Sequence, residues 1–129
     1  MPKKNLPKPS ERELEILRVL WNRGPSTVRE VHKVLNEVEE RGYTTVLKFM
    51  QIMAEKGLVK RDERRIAHEY EPCVSEASAQ RRIVADLLDK AFNGSAEKLV
   101  LHALSAGKAS KEEIREIRKI LDDMEKERE

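Results

Sequence analysis

Residues 42–57, GYTTVLKFMQIMAEKG, decide how the rest of this chain is read. At about 100° per residue, Met50 and Met53 fall within roughly 40° of Val46 on a helix. Phe49 and Ala54 flank that apolar stripe. Thr44, Lys48, Gln51, Ile52 and Glu55 fall on the opposite side, and Leu47 lies at the border. Gly57 suits the position just past a helix end, where a left-handed backbone costs glycine little. The helix is therefore amphipathic, and its polar start carries short hydrogen-bonding groups.

Upstream lie two more helices. Ser10 and Glu13 have the spacing of a capping box, in which each side chain satisfies the other residue's free backbone N–H. Leu14, Ile16, Leu17, Leu20 and Trp21 make the apolar stripe behind it, and Gly24-Pro25 ends the helix. A second box, Thr27 with Glu30, opens the next helix, whose Val28, Val31, Val34, Leu35 and Val38 are expected to face inward. Its valines lower the helix propensity, but the 3.6-residue spacing and the cap favour a helix.

Downstream the period changes. In residues 58–72, LVKRDERRIAHEYEP, Leu58, Lys60 and Asp62 alternate with Val59 and Arg61. Ile66, His68 and Tyr70 alternate with Ala67, Glu69 and Glu71. A charged tip, Glu63-Arg64-Arg65, separates them, which predicts a two-stranded antiparallel hairpin ended by Pro72. Three helices follow, over about 75–92, 95–105 and from Ser110 onward, the last opened by a third box between Ser110 and Glu113.

The order helix, helix, helix, strand, strand is the winged-helix layout, with 42–57 as recognition helix and the hairpin as wing. The expected fold is mainly α with a small β-hairpin. An N-terminal winged helix-turn-helix of residues 1–74 precedes a three-helix C-terminal dimerisation domain of residues 75–129. Charge follows the same division. Residues 1–74 hold 15 Lys/Arg against 12 Asp/Glu, and residues 75–129 hold 11 against 12. The window 41–65 is the most basic part, with Arg41, Lys48, Lys56, Lys60, Arg61, Arg64 and Arg65 against three acids. A local basic patch on a nearly neutral chain suits a polyanion.

A helix fits the DNA major groove, about 12 Å wide, and reads base edges there with short polar, basic or methyl-contacting side chains. Thr44, Thr45, Leu47, Lys48 and Gln51 are the candidates for that contact. Lys60, Arg61, Arg64 and Arg65 suit phosphates from the wing, and Lys3, Lys4 and Lys8 form a candidate basic arm. Palindromic operators match two-fold dimers. The wide apolar faces of the last three helices, too small a set to bury a large core alone, supply a candidate homodimer interface. It comprises Ile83, Val84, Leu87, Leu88, Phe92, Val100, Leu104, Ile117 and Leu121.

Three segments carry a family resemblance. SERELEILRVLWNRGPSTVREVHKVL, GYTTVLKFMQIMAEKGLVKRDERR and HEYEP together resemble the penicillinase repressors and their BlaI-, MecI- and CopY-like relatives, over nearly the whole chain. FNGSAEKLVLHAL and the helix from Ser110 are similar to that family's dimerisation region. The resemblance implies a dimeric winged-helix repressor on a palindromic operator. In the β-lactam branch it also implies release when a membrane sensor protease signals and the C-terminal domain is cut. The matching position lies near Leu101-His102-Ala103, where His102-Ala103 stands in place of the Asn-Phe bond of staphylococcal members. The cysteine cluster of the copper branch has no counterpart.

The competing reading is a winged helix that binds an acidic protein partner through the same basic face. An enzyme is not expected. The sequence offers no nucleophile paired with a base, no phosphate-cradling glycine loop and no metal-ligand cluster. His32, His68 and His102 are widely spaced, and Cys73 is the one cysteine, so neither a metal nor another cofactor is called for. No apolar run approaches the length of a membrane span, and the basic start lacks the apolar centre of a signal peptide. The expected location is the cytoplasm.

Overall fold

The computed structural model describes residues 8–128. In chain order the elements are α1 (Glu11–Arg23), β1 (Ser26–Thr27), α2 (Val28–Asn36), α3 (Tyr43–Lys56), β2 (Val59–Asp62), β3 (Glu69–Pro72), α4 (Glu76–Ala91), α5 (Ala96–Ala106) and α6 (Lys111–Glu127). Helices dominate and the sheet is small, in the winged-helix order. The chain divides into two compact units, 1–85 and 86–129, and the division falls inside α4. From sequence the line falls at 74/75, where strand gives way to helix.

Local chemistry sets the helix ends of the first unit. The Ser10 hydroxyl accepts from the Glu13 N–H at 3.2 Å, and the Glu13 carboxylate accepts from the Ser10 N–H at 2.9 Å. Thr27 and Glu30 repeat the arrangement at 3.1 and 2.9 Å. At the end of α3, Gly57 takes φ 85°. Its N–H donates to the Ala54 carbonyl, and the Leu58 N–H reaches back to the Met53 carbonyl at 2.9 Å. These are the paired bonds of a Schellman end, which turn the chain directly into β2.

The core of this unit lies between α1, α2, α3 and the sheet. Ile16, Leu17, Leu20, Val31, Met50, Met53 and Leu58 are almost wholly removed from solvent, with Val46, Val59 and Tyr70 beside them. Each large side chain buried this way contributes about 1.5–3 kcal/mol. Trp21 of α1 is half-buried, and its indole N–H donates to the Val74 carbonyl at 3.0 Å, tying the helix to the chain just past β3.

The sheet corrects the expected two-stranded hairpin. It has three antiparallel strands in the order β1-β3-β2, with Ser26 opposite Tyr70 and Arg61 also opposite Tyr70. Ile66 belongs to neither strand. The tip runs from 63 to 68, and Ile66 there is fully exposed. Val38, expected on the inward face of α2, is 90% exposed, because the helix ends at Asn36 and residues 37–39 turn away from its axis.

The second unit holds the end of α4 with α5 and α6. Asn93 (φ 50°) and Gly94 (φ 80°) turn the chain between α4 and α5, and the Gly94 N–H donates to the Leu88 carbonyl. The Ser110 hydroxyl caps α6 by accepting from the Glu113 N–H at 3.0 Å. The return bond expected of a full box is not formed there. Glu113 is exposed there. No residue of α5 or α6 is buried. No helix among the described residues is long and apolar enough to cross a membrane.

Candidate nucleic-acid interface

The two rows of α3 separate as its spacing requires. Val46, Met50 and Met53 are buried, while Thr44, Thr45, Lys48 and Gln51 are exposed and Leu47 is half-buried. Gly42 precedes the helix with no side-chain cap, so the first turn keeps backbone N–H groups free of the protection that Ser10 and Thr27 give α1 and α2. Lys48 has no ion partner among the described residues.

The seven cations of the basic window divide into several settings. Lys56 is drawn inward, with its ammonium 2.8 Å from the buried Glu13 carboxylate. Burial alone would raise the Glu13 carboxyl. The Lys56 ammonium and the Ser10 N–H outweigh that, and the carboxyl sits below its ordinary value. Arg41 is mostly buried and binds Glu15 of α1 at 2.9 Å, while its backbone N–H donates to Asn36 Oδ1 and its carbonyl meets His32 Nε2 at 2.7 Å. These two cations position α3 and belong to the scaffold rather than to an outward patch. Composition had grouped them with the others, because a count of charges cannot see which ones fold back onto the first helix.

On the wing the remaining cations are largely paired within the hairpin. Arg61 Nε donates to Glu63 at 2.8 Å, and Lys60 lies 3.3 Å from Glu71. Arg64 donates through Nε and a terminal nitrogen to Asp62 at 3.0 and 2.8 Å, and its backbone N–H donates to the same carboxylate. That guanidinium and N–H hold the Asp62 carboxyl far below the carboxylate range. Residues 59–72 hold four cations and four acids, so the wing is neutral as a whole.

Two depressions divide the predicted site residues further. One of about 490 Å³ brings Leu47 and Gln51 of α3 together with Arg61 of the wing, and adds Arg29, Tyr43, Ile66 and His68. The other, of about 530 Å³, is lined by Arg64 and Arg65 with Pro25, Asp62, Glu69 and Glu71. Thr44, Thr45 and Lys48 line neither depression. Arg61 thus shares a groove with α3, a further depression of about 740 Å³ joins Lys60 and Arg61 to Gln51, and Arg64 and Arg65 line a separate one. Arg29 and Tyr43 escaped the sequence reading. One signal pointed to Arg29: a cation in a helix's first turn, where acids are favoured. Lys3 and Lys4 lie outside the described residues. Among those residues, no cluster of His, Cys, Asp and Glu is placed to hold a metal ion.

Three helices and a hairpin, with the third helix packed along one row and open along the other, define a winged-helix module. Residues 9–123 match the profile of the penicillinase repressor family. The chain belongs to that family, whose curated members are transcriptional regulators rather than enzymes. It is 26% identical over 120 residues to the penicillinase repressor of Bacillus licheniformis, covering 93% of this chain and 94% of that one. To the transcriptional regulator BlaI of Mycobacterium tuberculosis it is 35% identical over 94 residues, covering 70% of this chain and 67% of that one. The fold is similar to the solution structure of the DNA-binding domain of the repressor BlaI, with TM-score 0.52 and 24% identity over 59% of this chain and 93% of that one. It is also similar, at TM-score 0.51 and 24% identity over the same shares, to the monomeric form of Bacillus licheniformis BlaI solved in complex with the blaP half-operator.

Proposed function

We propose that this protein is a cytoplasmic repressor that binds a palindromic DNA operator as a homodimer. Residues 1–74 read DNA and residues 75–129 supply the dimer contact. The observation that carries the reading is the exposed row of α3, Thr44, Thr45, Lys48 and Gln51, set on a helix whose other row is locked in the winged-helix core. The half-operator complex of the Bacillus licheniformis relative supports the same use of the fold. Thr44, Thr45, Lys48 and Gln51 approach base edges, with Leu47 at the border. Lys60, Arg61, Arg64 and Arg65 meet phosphate.

Val84, Leu87, Val100, Leu104 and Leu121 are exposed, and Ile83, Leu88, Phe92 and Ile117 are half-buried. A second copy of the chain is the proposed cover for this apolar set. The candidate cleavage point, His102-Ala103, lies inside α5. Release by a sensor protease at that bond therefore requires α5 to open first, since a closed helix does not present an extended scissile segment.

Selection from a randomised duplex pool tests the proposal. An inverted repeat is the expected product, and Lys48→Ala is expected to weaken binding to it by about 1–3 kcal/mol. Recovery of no preferred sequence, with equal binding to polyglutamate of matched charge, would favour the acidic-protein reading instead.

A further inference from the structure

Arg29 occupies the first turn of α2, two residues past the Thr27 cap. The start of a helix carries partial positive charge and favours acidic side chains, so an arginine there works slightly against the fold. Most exposed cations around it have an acid at hand. Arg23 reaches Glu30, Lys60 reaches Glu71 and Arg64 reaches Asp62. Arg29 is exposed and has no ion partner among the described residues. Glu30, the nearest acid in sequence, is already engaged by the Thr27 N–H and by Arg23.

The position of Arg29 gives that lone charge a direction. It lines the groove of about 490 Å³ together with Tyr43, Leu47 and Gln51 of α3 and Ile66 and His68 of the wing tip. In a helix-turn-helix the helix before the recognition helix crosses the sugar-phosphate backbone. A guanidinium fork at that crossing matches two phosphate oxygens at once. The groove holds no carboxylate to compete for it.

We propose that Arg29 grips a DNA backbone phosphate at the edge of this groove and so fixes the strand against α3. This rests on the DNA-binding reading above and extends it to a residue on a different helix. A phosphate contact carries affinity but no sequence information. Its loss therefore acts alike on the preferred site and on any other duplex.

The experiment uses the full chain with Arg29→Ala, Arg29→Glu and, as a control for bulk charge, Arg18→Ala. Arg18 is exposed on α1 and lies outside the groove. Binding is measured by fluorescence anisotropy over a salt series, on the duplex selected by the wild-type protein and on a scrambled duplex of equal length. Arg29→Ala is expected to weaken both duplexes by the same factor, about three- to tenfold, and to flatten the slope of log K against log salt by about 0.9 for each bound subunit. Arg29→Glu weakens binding further, while its thermal midpoint stays level or rises, because glutamate suits the start of a helix. An unchanged slope in Arg29→Ala, an equal loss in Arg18→Ala, or a loss confined to the selected duplex each overturns the assignment. If the wild-type protein itself shows no salt-dependent DNA binding, the DNA reading falls and takes Arg29 with it. Intact wild-type binding with an indifferent Arg29 removes Arg29 alone.

Discussion

The two units use the same materials to opposite effect. Both contain amphipathic helices opened by serine or threonine caps, α1 and α2 in the first and α5 and α6 in the second, and both carry regular apolar rows. In the first unit those rows meet. Leu17 of α1, Val31 of α2, Met50 of α3 and Leu58 before β2 are withdrawn from water together. In the second, Leu101, Ile120 and Leu121 remain 59%, 55% and 54% exposed. The difference lies in what closes the faces. The first unit folds a sheet and a third helix over them, and joins distant residues through Trp21 with Val74 and Glu13 with Lys56. The second, in 44 residues, has too few elements to cover its own surface. One unit closes its apolar rows within a single chain; the other leaves its rows exposed.

The sharpest way to break this contrast is to put a charge into each unit. Leu17→Asp leaves an unpaired carboxylate in the first core and is expected to cost about 4 kcal/mol or more, a large part of the 5–15 kcal/mol that holds a typical domain. Its cooperative denaturation transition should largely disappear. Leu121→Asp, on α6, should leave that transition in place and instead weaken self-association by more than about 100-fold, near 3 kcal/mol. Sedimentation separates the outcomes. A tight dimer in Leu121→Asp would show that the exposed rows of the second unit are not the contact.

A smaller effect tests whether the first unit closes its polar core as well. Glu13→Gln keeps the capping function, which glutamine also performs, but removes the charge facing Lys56. Because Lys56 is partly exposed, the expected loss is about 1–2 kcal/mol. The pH dependence has a definite sign. The Glu13 carboxyl is lowered on folding from an ordinary value of 4.5. Its contribution is therefore complete above that value and is lost as pH falls through the lower folded value. The stability gap between wild type and Glu13→Gln should be constant near neutrality and narrow below about pH 4.5. A gap that stayed level down to pH 3 would detach the effect from this carboxylate.

Much of this first unit could be read from the sequence because its signals are local. Capping boxes, a glycine helix end and a 3.6-residue row lie within a few residues of each other, and α1 and α3 fell where those signals put them, as did the start of α2, which ends short of Val38. What escaped depends on distance along the chain. Strand β1 is two residues long and has no period of its own; it is a strand only because Tyr70 and Glu69 lie opposite. Glu13 and Lys56 are 43 residues apart, and nothing local announces their pairing. Ile66 kept the alternation of a strand but lies in the loop, since residues 64–67 bend away from β3. For the candidate site, the exposed row of α3 followed from periodicity. The pairing of the wing's cations did not, because charge counts carry no geometry. Ile52 lies on the outward side of α3, about one-third exposed, and nothing among the described residues explains it.

The smallest expected effect probes charge rather than apolar area. Self-sufficiency in the first unit extends to its wing, where Asp62 holds Arg64 through two guanidinium bonds and a backbone bond. A phosphate that recruits Arg64 must displace that carboxylate. The folded Asp62 carboxyl lies so far below its ordinary value that the pair stays charged at any pH near neutrality. Salt and competing anions, not protons, are what loosen it. Asp62→Asn keeps the side chain's shape but removes the charge that competes with DNA. The variant should bind a scrambled duplex a few-fold more tightly at low salt, with a salt slope steeper by up to about 0.9 per subunit. The gain should shrink for the selected duplex, on which the base contacts proposed for α3 would already fix the protein. Equal slopes for Asp62→Asn and wild type would mean that Arg64 stays off the phosphates, and that the wing's neutrality serves the hairpin's own geometry rather than restraint of non-specific binding.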